Sequence, residues 1–172
     1  MISFRSVTAE DLPMLANWLA RPHWRHWWGD PEEELSHIRD MIEGRDTTRP
    51  FIFQSNGADK GYIQVWFVGD QQGGAHAADY PWLDLLPSDA VGVDLSIAVE
   101  EDLSRGLGTR TLQAFVRELR EQGHERIIID PDPANLRAVK AYRKAGFQEI
   151  KALLGRTGDS LLMELVSKEG VS

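Results

Sequence analysis

Residues 90–109 read A-V-G-V-D-L-S-I-A-V-E-E-D-L-S-R-G-L-G-T, and the rest of the chain is interpreted from them. Their first half alternates: Val91, Val93, Leu95, Ile97 and Val99 fall on one face, Ala90, Gly92, Asp94, Ser96 and Ala98 on the other. That is the period of a strand. The second face consists of small residues around a single carboxylate, which fills a core poorly and leaves room for a ligand. The strand breaks at Ser104-Arg105-Gly106-Leu107-Gly108-Thr109, after which Leu112, Phe115, Val116 and Leu119 recur at helical spacing. Strand, glycine turn and helix start make the layout of an anion site. First-turn N–H groups and the glycine backbone can face a phosphate, and Arg105 adds charge. Taken alone, glycine at such a turn serves equally well just to supply a positive φ. The run is not a P-loop, since no G-K-[ST] follows, nor does it fit G-x-G-x-x-G.

A chain of 172 residues suits one domain, 1–172, with a core of useful size. Hydrophobic residues at 42% and charged residues at 27% are ordinary for a globular protein. No apolar run reaches the roughly 18 residues of a membrane span, and no charged-then-apolar leader opens the sequence, so a cytoplasmic protein is expected. Cysteine is absent, which removes disulfides, thiolate metal sites and cysteine nucleophiles together. The net charge of −8 disfavours nucleic acid and anionic membrane as partners.

The charge is unevenly spread. Between Lys60 and Arg105 there is no Lys or Arg, yet Asp70, Asp79, Asp84, Asp89, Asp94, Glu100, Glu101 and Asp102 occur, interleaved with Tyr62, Trp66, Phe67, Tyr80 and Trp82. This is either a solvated acidic surface or a pocket for a polycation, with Asp84, Asp89 and Asp94 supplying the field and Tyr62 an aromatic wall.

In chain order, Met1 to Val7 reads as a strand, and Thr8 opens a helix carrying Leu12, Leu15, Trp18 and Leu19 that Pro22 stops. His23-Trp24-Arg25-His26-Trp27-Trp28-Gly29 is the densest aromatic cluster, and Trp24 and Trp27 read as a hydrophobic plug against a sheet. His23 and His26 have metal-ligand spacing but no convincing third ligand, so no metal is expected. Asp30-Pro31 opens a second helix (Leu35, Ile38, Met41, Ile42), which Arg49-Pro50 ends. Residues 51–54 and 61–67 read as strands of a hairpin turned at Asn56-Gly57. Residues 69–89 lack a clear period and read as a long loop. After the helix that follows the glycine turn, residues 126–129 form a buried strand. Asp132-Pro133 then reads as the cap and first position of a last helix, with Leu136, Val139 and Tyr142 near its inner face and Gly146 just past its end. Residues 147–153 and 160–165 read as the final strands.

V-G-V-D-L-S-I, S-R-G-L-G-T and D-P-D-P-A-N-L-R-A-V-K-A-Y-R-K-A-G-F, together with W-W-G, resemble the GNAT-family N-acetyltransferases over nearly the whole chain. Within that family they are most similar to the aminoglycoside 6'-N-acetyltransferases. The family's acyl-CoA loop is usually [QR]-x-x-G-x-[GA]; here Leu103 stands in the Gln/Arg slot, as in that subgroup. The resemblance implies an α/β (α+β) GNAT fold, a central mixed, mostly antiparallel sheet flanked by helices in the order β-α-α-β-β-β-α-β-α-β-β. It also implies acetyl-CoA as donor, bound by Ile97, Ala98, Val99, Ser104, Arg105, Gly106, Leu107, Gly108, Thr109, Asn135 and Arg137.

Acetyl transfer to an amine needs a neutral amine, a held oxyanion and a protonated leaving thiolate. By resemblance, Asp94 positions the amine and acts as base, Tyr142 is the acid near the sulfur, Asp130 binds a second ammonium, and Trp28 walls the acceptor site. Each has a plainer reading: Asp94 as an exposed strand-end Asp, Tyr142 as core, Asn135 as a helix cap, Arg137 and Arg143 as solvated cations. The acceptor implied is the 6'-amine of an aminoglycoside, in a monomer or homodimer. Alternatives are a protein N-terminus, a siderophore hydroxylamine, a polyamine, or a non-catalytic CoA-binding module.

Overall fold

A computed structural model describes residues 1–166, so the expected domain 1–172 extends beyond the described residues at its end. The chain divides into two compact units, Met1–Trp66 with Asp94–Gly108, and Phe67–Val93 with the chain from Thr109 on.

The first unit opens with β1 (Ile2–Ser6), a short 3-10 turn, α1 (Leu12–Leu19), α2 (Pro22–Trp28) and α3 (Pro31–Ile42). The local chemistry explains each start. Pro22 and Pro31 stand at first helical positions, where their missing N–H costs nothing. The Asp30 carboxylate accepts from the N–H groups of Glu32 (2.8 Å) and Glu33 (3.3 Å), and Glu32, Glu33 and Glu34 suit the positive end of α3. Pro22 therefore starts a helix as well as ending one, which adds α2 to the expected order. α3 stops at Ile42, ahead of Arg49-Pro50, and those two residues open β2 instead.

β2 (Arg49–Ser55) and β3 (Ala58–Phe67) pair antiparallel through the expected turn. Asn56 (φ 51°) and Gly57 (φ 82°) are both left-handed, as a type I′ turn requires. β1 pairs with β2, Phe4 opposite Phe53. β4 (Val91–Ile97) ends in this unit, close against β3. A Cβ on Gly61 would lie 2.3 Å from the Ser96 carbonyl oxygen and 2.4 Å from the Phe53 ring, so only glycine fits there. The unit's core joins Val7, Leu15, Trp18, Leu19, Trp24, Ile38, Ile52, Tyr62 and Ala98. Trp24 has no exposed surface, as a plug should, but Trp27 is 39% exposed and stacks edge-on with His26, so it is not part of that plug. On a helix, Trp24 and Trp27 are three apart, and Trp28 rather than Trp27 follows Trp24 onto the buried face.

In the second unit, residues 69–89 are not the long loop the sequence suggested. They hold α4 (Val68–Gln71), α5 (Ala75–Asp79) and a 3-10 turn over Pro81–Leu85. Short segments of one or two turns show no hydrophobic period. Their order comes from Trp82 and Leu83, both buried, and from the Gln72 amide, which donates to the Leu83 and Leu86 carbonyls at 2.8 and 2.9 Å. The first half of β4 runs parallel to β5 (Ile127–Ile129), Val91 opposite Ile127. α6 (Leu107–Glu121) leads into β5, and α7 (Leu136–Lys144), β6 (Phe147–Glu149) and β7 (Met163–Leu165) complete the order. β7 pairs antiparallel with both β5 and β6. Seven strands are ordered β1-β2-β3-β4-β5-β7-β6. This is the mixed, mostly antiparallel sheet expected.

Two expectations fail at α7. Its cap is Asn135, whose side chain accepts from the Ala138 N–H at 3.3 Å, while Asp132 caps a separate turn by accepting from the Ala134 N–H at 2.8 Å. The helix therefore begins after Asp132-Pro133, and Leu136, in its first turn, is 75% exposed. Gly146 does sit just past the end, at φ 107°. The last two strands are shorter than expected, and Lys151–Leu153 is a 3-10 turn.

Within α6, Thr111 is fully buried and its hydroxyl has no hydrogen-bond partner. A buried hydroxyl without a partner costs about 1–3 kcal/mol. Thr111→Val is expected to stabilise the protein by about 1 kcal/mol, seen as a melting temperature raised by roughly 2–4 °C. A fall in melting temperature would show that the hydroxyl is satisfied in solution.

Candidate functional site

The first unit holds Asp94, Trp28 and Tyr62 in a connected arrangement. Asp94 lies at the middle of β4, half-buried. Gln64, at the same level on β3, donates its amide N–H to Asp94 Oδ2 at 2.9 Å, and the Tyr62 hydroxyl donates to the Gln64 amide oxygen at 2.6 Å. A carboxylate accepts and a phenol donates, so the two ends leave the amide only one orientation. Tyr62 has no exposed surface. Burial, and then the charges of Asp94, Glu34 and Asp46, hold its hydroxyl well above the usual phenol range, so it stays a donor. Its hydroxyl is engaged with Gln64, and the ring presents no surface of its own. Trp28 is half-buried between Trp24 (ring centroids 5.6 Å apart) and Tyr62 (5.7 Å, edge to face).

Glu34 joins this arrangement from α3. Its carboxyl is raised by burial, with His37 (Nδ1 3.8 Å from Oε1) opposing and Asp94 adding to the shift. Two carboxylates close enough to feel each other make a site that favours a cation. The sequence reading missed both Gln64 and Glu34. Y-I-Q places Gln64 on the face of Tyr62 by period two, which was legible. That this face meets Asp94 depends on the register of two strands, which was not.

The turn before α6 has the backbone an anion needs. Ser104 (φ 62°) and Gly106 (φ 80°) are left-handed on either side of Arg105, the kind of turn in which backbone N–H groups can form an anion-binding concavity. Ser104 is not a glycine, so its conformation costs about 1–3 kcal/mol, as is common at ligand-binding turns. Ser104, Arg105 and Gly106 are exposed, Leu107 is buried and anchors the helix start, and no acidic residue stands in the first turn of α6. These residues fit the phosphates of a nucleotide cofactor. Gly108 and Thr109 are half-buried. The Thr109 hydroxyl donates to the Ala141 carbonyl at 3.1 Å. Ile97 and Ala98 are buried and Val99 is exposed.

In the second unit, Tyr142 on α7 is buried at 8% exposure, next to the Ala141 that Thr109 holds. Asp130 follows β5 and is half-buried. Asn135 caps α7, and Arg137 is exposed beside it. Asp84 and Asp89 are exposed, and each has a partner in the second unit: Asp84 accepts from the Gly73 N–H at 3.3 Å, and Asp89 lies 3.9 Å from Arg126. Among the described residues, no group of three or more His, Cys, Asp or Glu could hold a metal, and no helix is long and apolar enough to cross a membrane.

Residues 7–153 match the family model of the acetyltransferase (GNAT) domain, which spans parts of both units. The chain is 30% identical over 169 residues to the aminoglycoside N(6')-acetyltransferase type 1 of Klebsiella pneumoniae, covering 94% of this chain and 81% of that protein. It is also 29% identical over 149 residues to the lysine N-acyltransferase MbtK of Mycobacterium tuberculosis, covering 83% and 66%. Among solved structures, AAC(6')-Ib in complex with parmomycin and acetyl-CoA superposes with a TM-score of 0.79 at 28% identity, over 97% of this chain and 94% of that one. The glycine turn, the strand that precedes it and the fold that carries them thus have one explanation: the chain belongs to the GNAT acetyltransferase family.

Proposed function

We propose that this protein transfers the acetyl group of acetyl-CoA to a primary amine of a cationic small molecule, the 6'-amine of an aminoglycoside. Acetyl-CoA is the donor and supplies the activated acyl group. Its phosphates are held by the backbone of Ser104 to Thr109 with Arg105, its arm by Ile97, Ala98, Val99 and Asn135, and Arg137 adds positive charge. Asp94 gathers the incoming ammonium and takes its proton directly or through water, and Tyr142 returns a proton to the leaving sulfur. Asp130 takes a second ammonium, and Trp28 forms a wall. No covalent enzyme intermediate is needed, which agrees with a chain that has no cysteine.

The observation that carries this reading is the half-buried Asp94, oriented by Gln64 and set near a second partly buried carboxylate, Glu34. A polycation matches such a pair, and an uncharged acceptor does not. The relatives named for aminoglycoside acetylation support the same acceptor.

Kanamycin-type aminoglycosides, polyamines, lysine analogues and N-terminal peptides tested with acetyl-CoA discriminate the acceptors, and turnover of the aminoglycosides at the highest kcat/KM is expected. Asp94→Asn is expected to lower kcat/KM by about 10²–10⁴-fold, the usual share of a positioned acid–base group. Activity within about threefold of the parent would remove Asp94 from that role.

Glu34 gives a pH-dependent test. A carboxyl whose folded pKa is raised destabilises the fold once ionised. The penalty is absent below the unfolded pKa and complete above the folded one. Glu34→Gln is therefore expected to raise the melting temperature at pH 7 but not at pH 3, and to raise KM for a polycationic acceptor at pH 7. Equal shifts at both pH values in calorimetry would mean that packing, not charge, is responsible.

A further inference from the structure

The start of α2, with the Arg21 that precedes it, sends three side-chain donors onto the backbone at the end of β4. His23 Nε2 lies 2.8 Å and Trp24 Nε1 3.0 Å from the Ile97 carbonyl oxygen, and Arg21 Nη1 lies 2.5 Å from that of Ala98. A carbonyl can only accept, so His23 meets Ile97 with its Nε2–H, whether neutral or protonated. Two donors fill both lone pairs of the Ile97 oxygen. The same peptide is held at its other end, because the Ala98 N–H donates to the Lys60 carbonyl at 2.8 Å. The next peptide is fixed by Arg21. Since it is trans and planar, its Val99 N–H points away from the oxygen that Arg21 holds. A carbonyl bonded to a guanidinium also polarises the N–H of its own peptide and makes it the stronger donor.

Core packing does not require all of this. Trp24 is fully buried, and its indole N–H must find an acceptor somewhere. His23 and Arg21 are only half-buried and could reach water, yet each reaches a carbonyl more than seventy residues away in sequence. Carbonyls along a strand usually go to the neighbouring strand. Here helix side chains take two in succession, at the strand end that leads into the left-handed turn at Ser104 and Gly106.

We infer that Arg21, His23 and Trp24 are positioning residues for the acetyl donor: they lock the two peptides that follow Ile97 at the end of β4 so that the strand end meets the acyl-carrying arm in one orientation. The inference rests on the proposed acetyl transfer, which brings that arm to Ile97, Ala98 and Val99. It accounts for the directed use of Arg21 and His23, which the acceptor side of the site leaves unexplained.

The test uses the full chain with His23→Ala and His23→Gln; Trp24 is left intact because it belongs to the core. The glutamine amide can replace the Nε2–H donor, and alanine cannot. Three quantities are read: melting temperature, hydrogen exchange of the segment following Leu95 in the ligand-free protein, and the calorimetric Kd for CoA. The expected result for His23→Ala is faster exchange at the strand end and a Kd raised about five- to tenfold, the range of one lost hydrogen bond. His23→Gln should return both to within about twofold of the parent, with the two variants melting alike. Unchanged exchange and Kd in His23→Ala, or a glutamine variant as impaired as the alanine one, overturns the inference. A parent protein that binds CoA but leaves kanamycin untouched overturns the acceptor proposed above and leaves the clamp standing. A parent that binds no CoA overturns the transfer itself, and this inference with it.

Discussion

A carboxylate taken halfway out of water keeps its charge only if other donors replace the water it has lost. Asp94 is in that position, and the amide N–H of Gln64 is one donor it has there. Gln64 can do this only with its oxygen turned away, and the Tyr62 hydroxyl enforces that turn. Tyr62 is fixed in its turn by complete burial among Trp28, Ile38 and Ile52, in the core that also holds Trp24. The orientation of the Asp94 carboxylate is thus tied to the packing of an aromatic core. The W-W-G and Y-I-Q segments, which look unrelated along the chain, serve the same group.

β4 has a second duty, performed by its backbone. Its end must run close to β3, and Gly61 permits this where any side chain would meet the Ser96 carbonyl or the Phe53 ring. At that end the strand gives its Ile97 carbonyl to α2, and Lys60 holds the 3-10 turn over Glu100–Asp102 through Asp102 at 3.4 Å. The chain then enters the strained turn at Ser104. A left-handed serine persists only where its surroundings over-determine it. Here the fixed strand end on one side and the buried Leu107 on the other supply that constraint.

The strand and turn within 90–109 and the helix that follows were legible because period two, glycine and period 3.6 come in that order there. So were the Asn56-Gly57 hairpin and Gly146, whose left-handed backbone the sequence signals locally. What escaped detection depends on contacts distant in sequence or on competing caps. Asn135 displaced Asp132 as the cap of α7, although both are good capping residues, and the exposure of Leu136 follows from that shift. Trp27 and Trp28 are equally hydrophobic, and only the helical phase set by Pro22 separates the exposed ring from the buried one. Gln64 became informative only once strand register put it against Asp94.

The two functions of the site tolerate sequence change differently. An anion held by N–H groups at a helix start depends on backbone shape, so the turn needs Gly106 and a compatible residue at Ser104 but little else. That explains how Leu103 can stand where other members carry Gln or Arg. On the proposed function, the acceptor side depends on named side chains: Asp94 and Glu34 for charge, Gln64 for orientation, Trp28 for a wall. A family can therefore keep its donor half while its members act on different amines, as the shared likeness to an aminoglycoside acetyltransferase and to a lysine acyltransferase illustrates. On that proposal, choice of acceptor falls to a few residues on α2, α3, β3 and β4, and overall identity is a weak guide to it. In this chain Asp94 and Glu34 are both partly buried and the charge of Asp94 adds to the raised Glu34 carboxyl, an arrangement that, on the proposed transfer, suits an acceptor with more than one ammonium group.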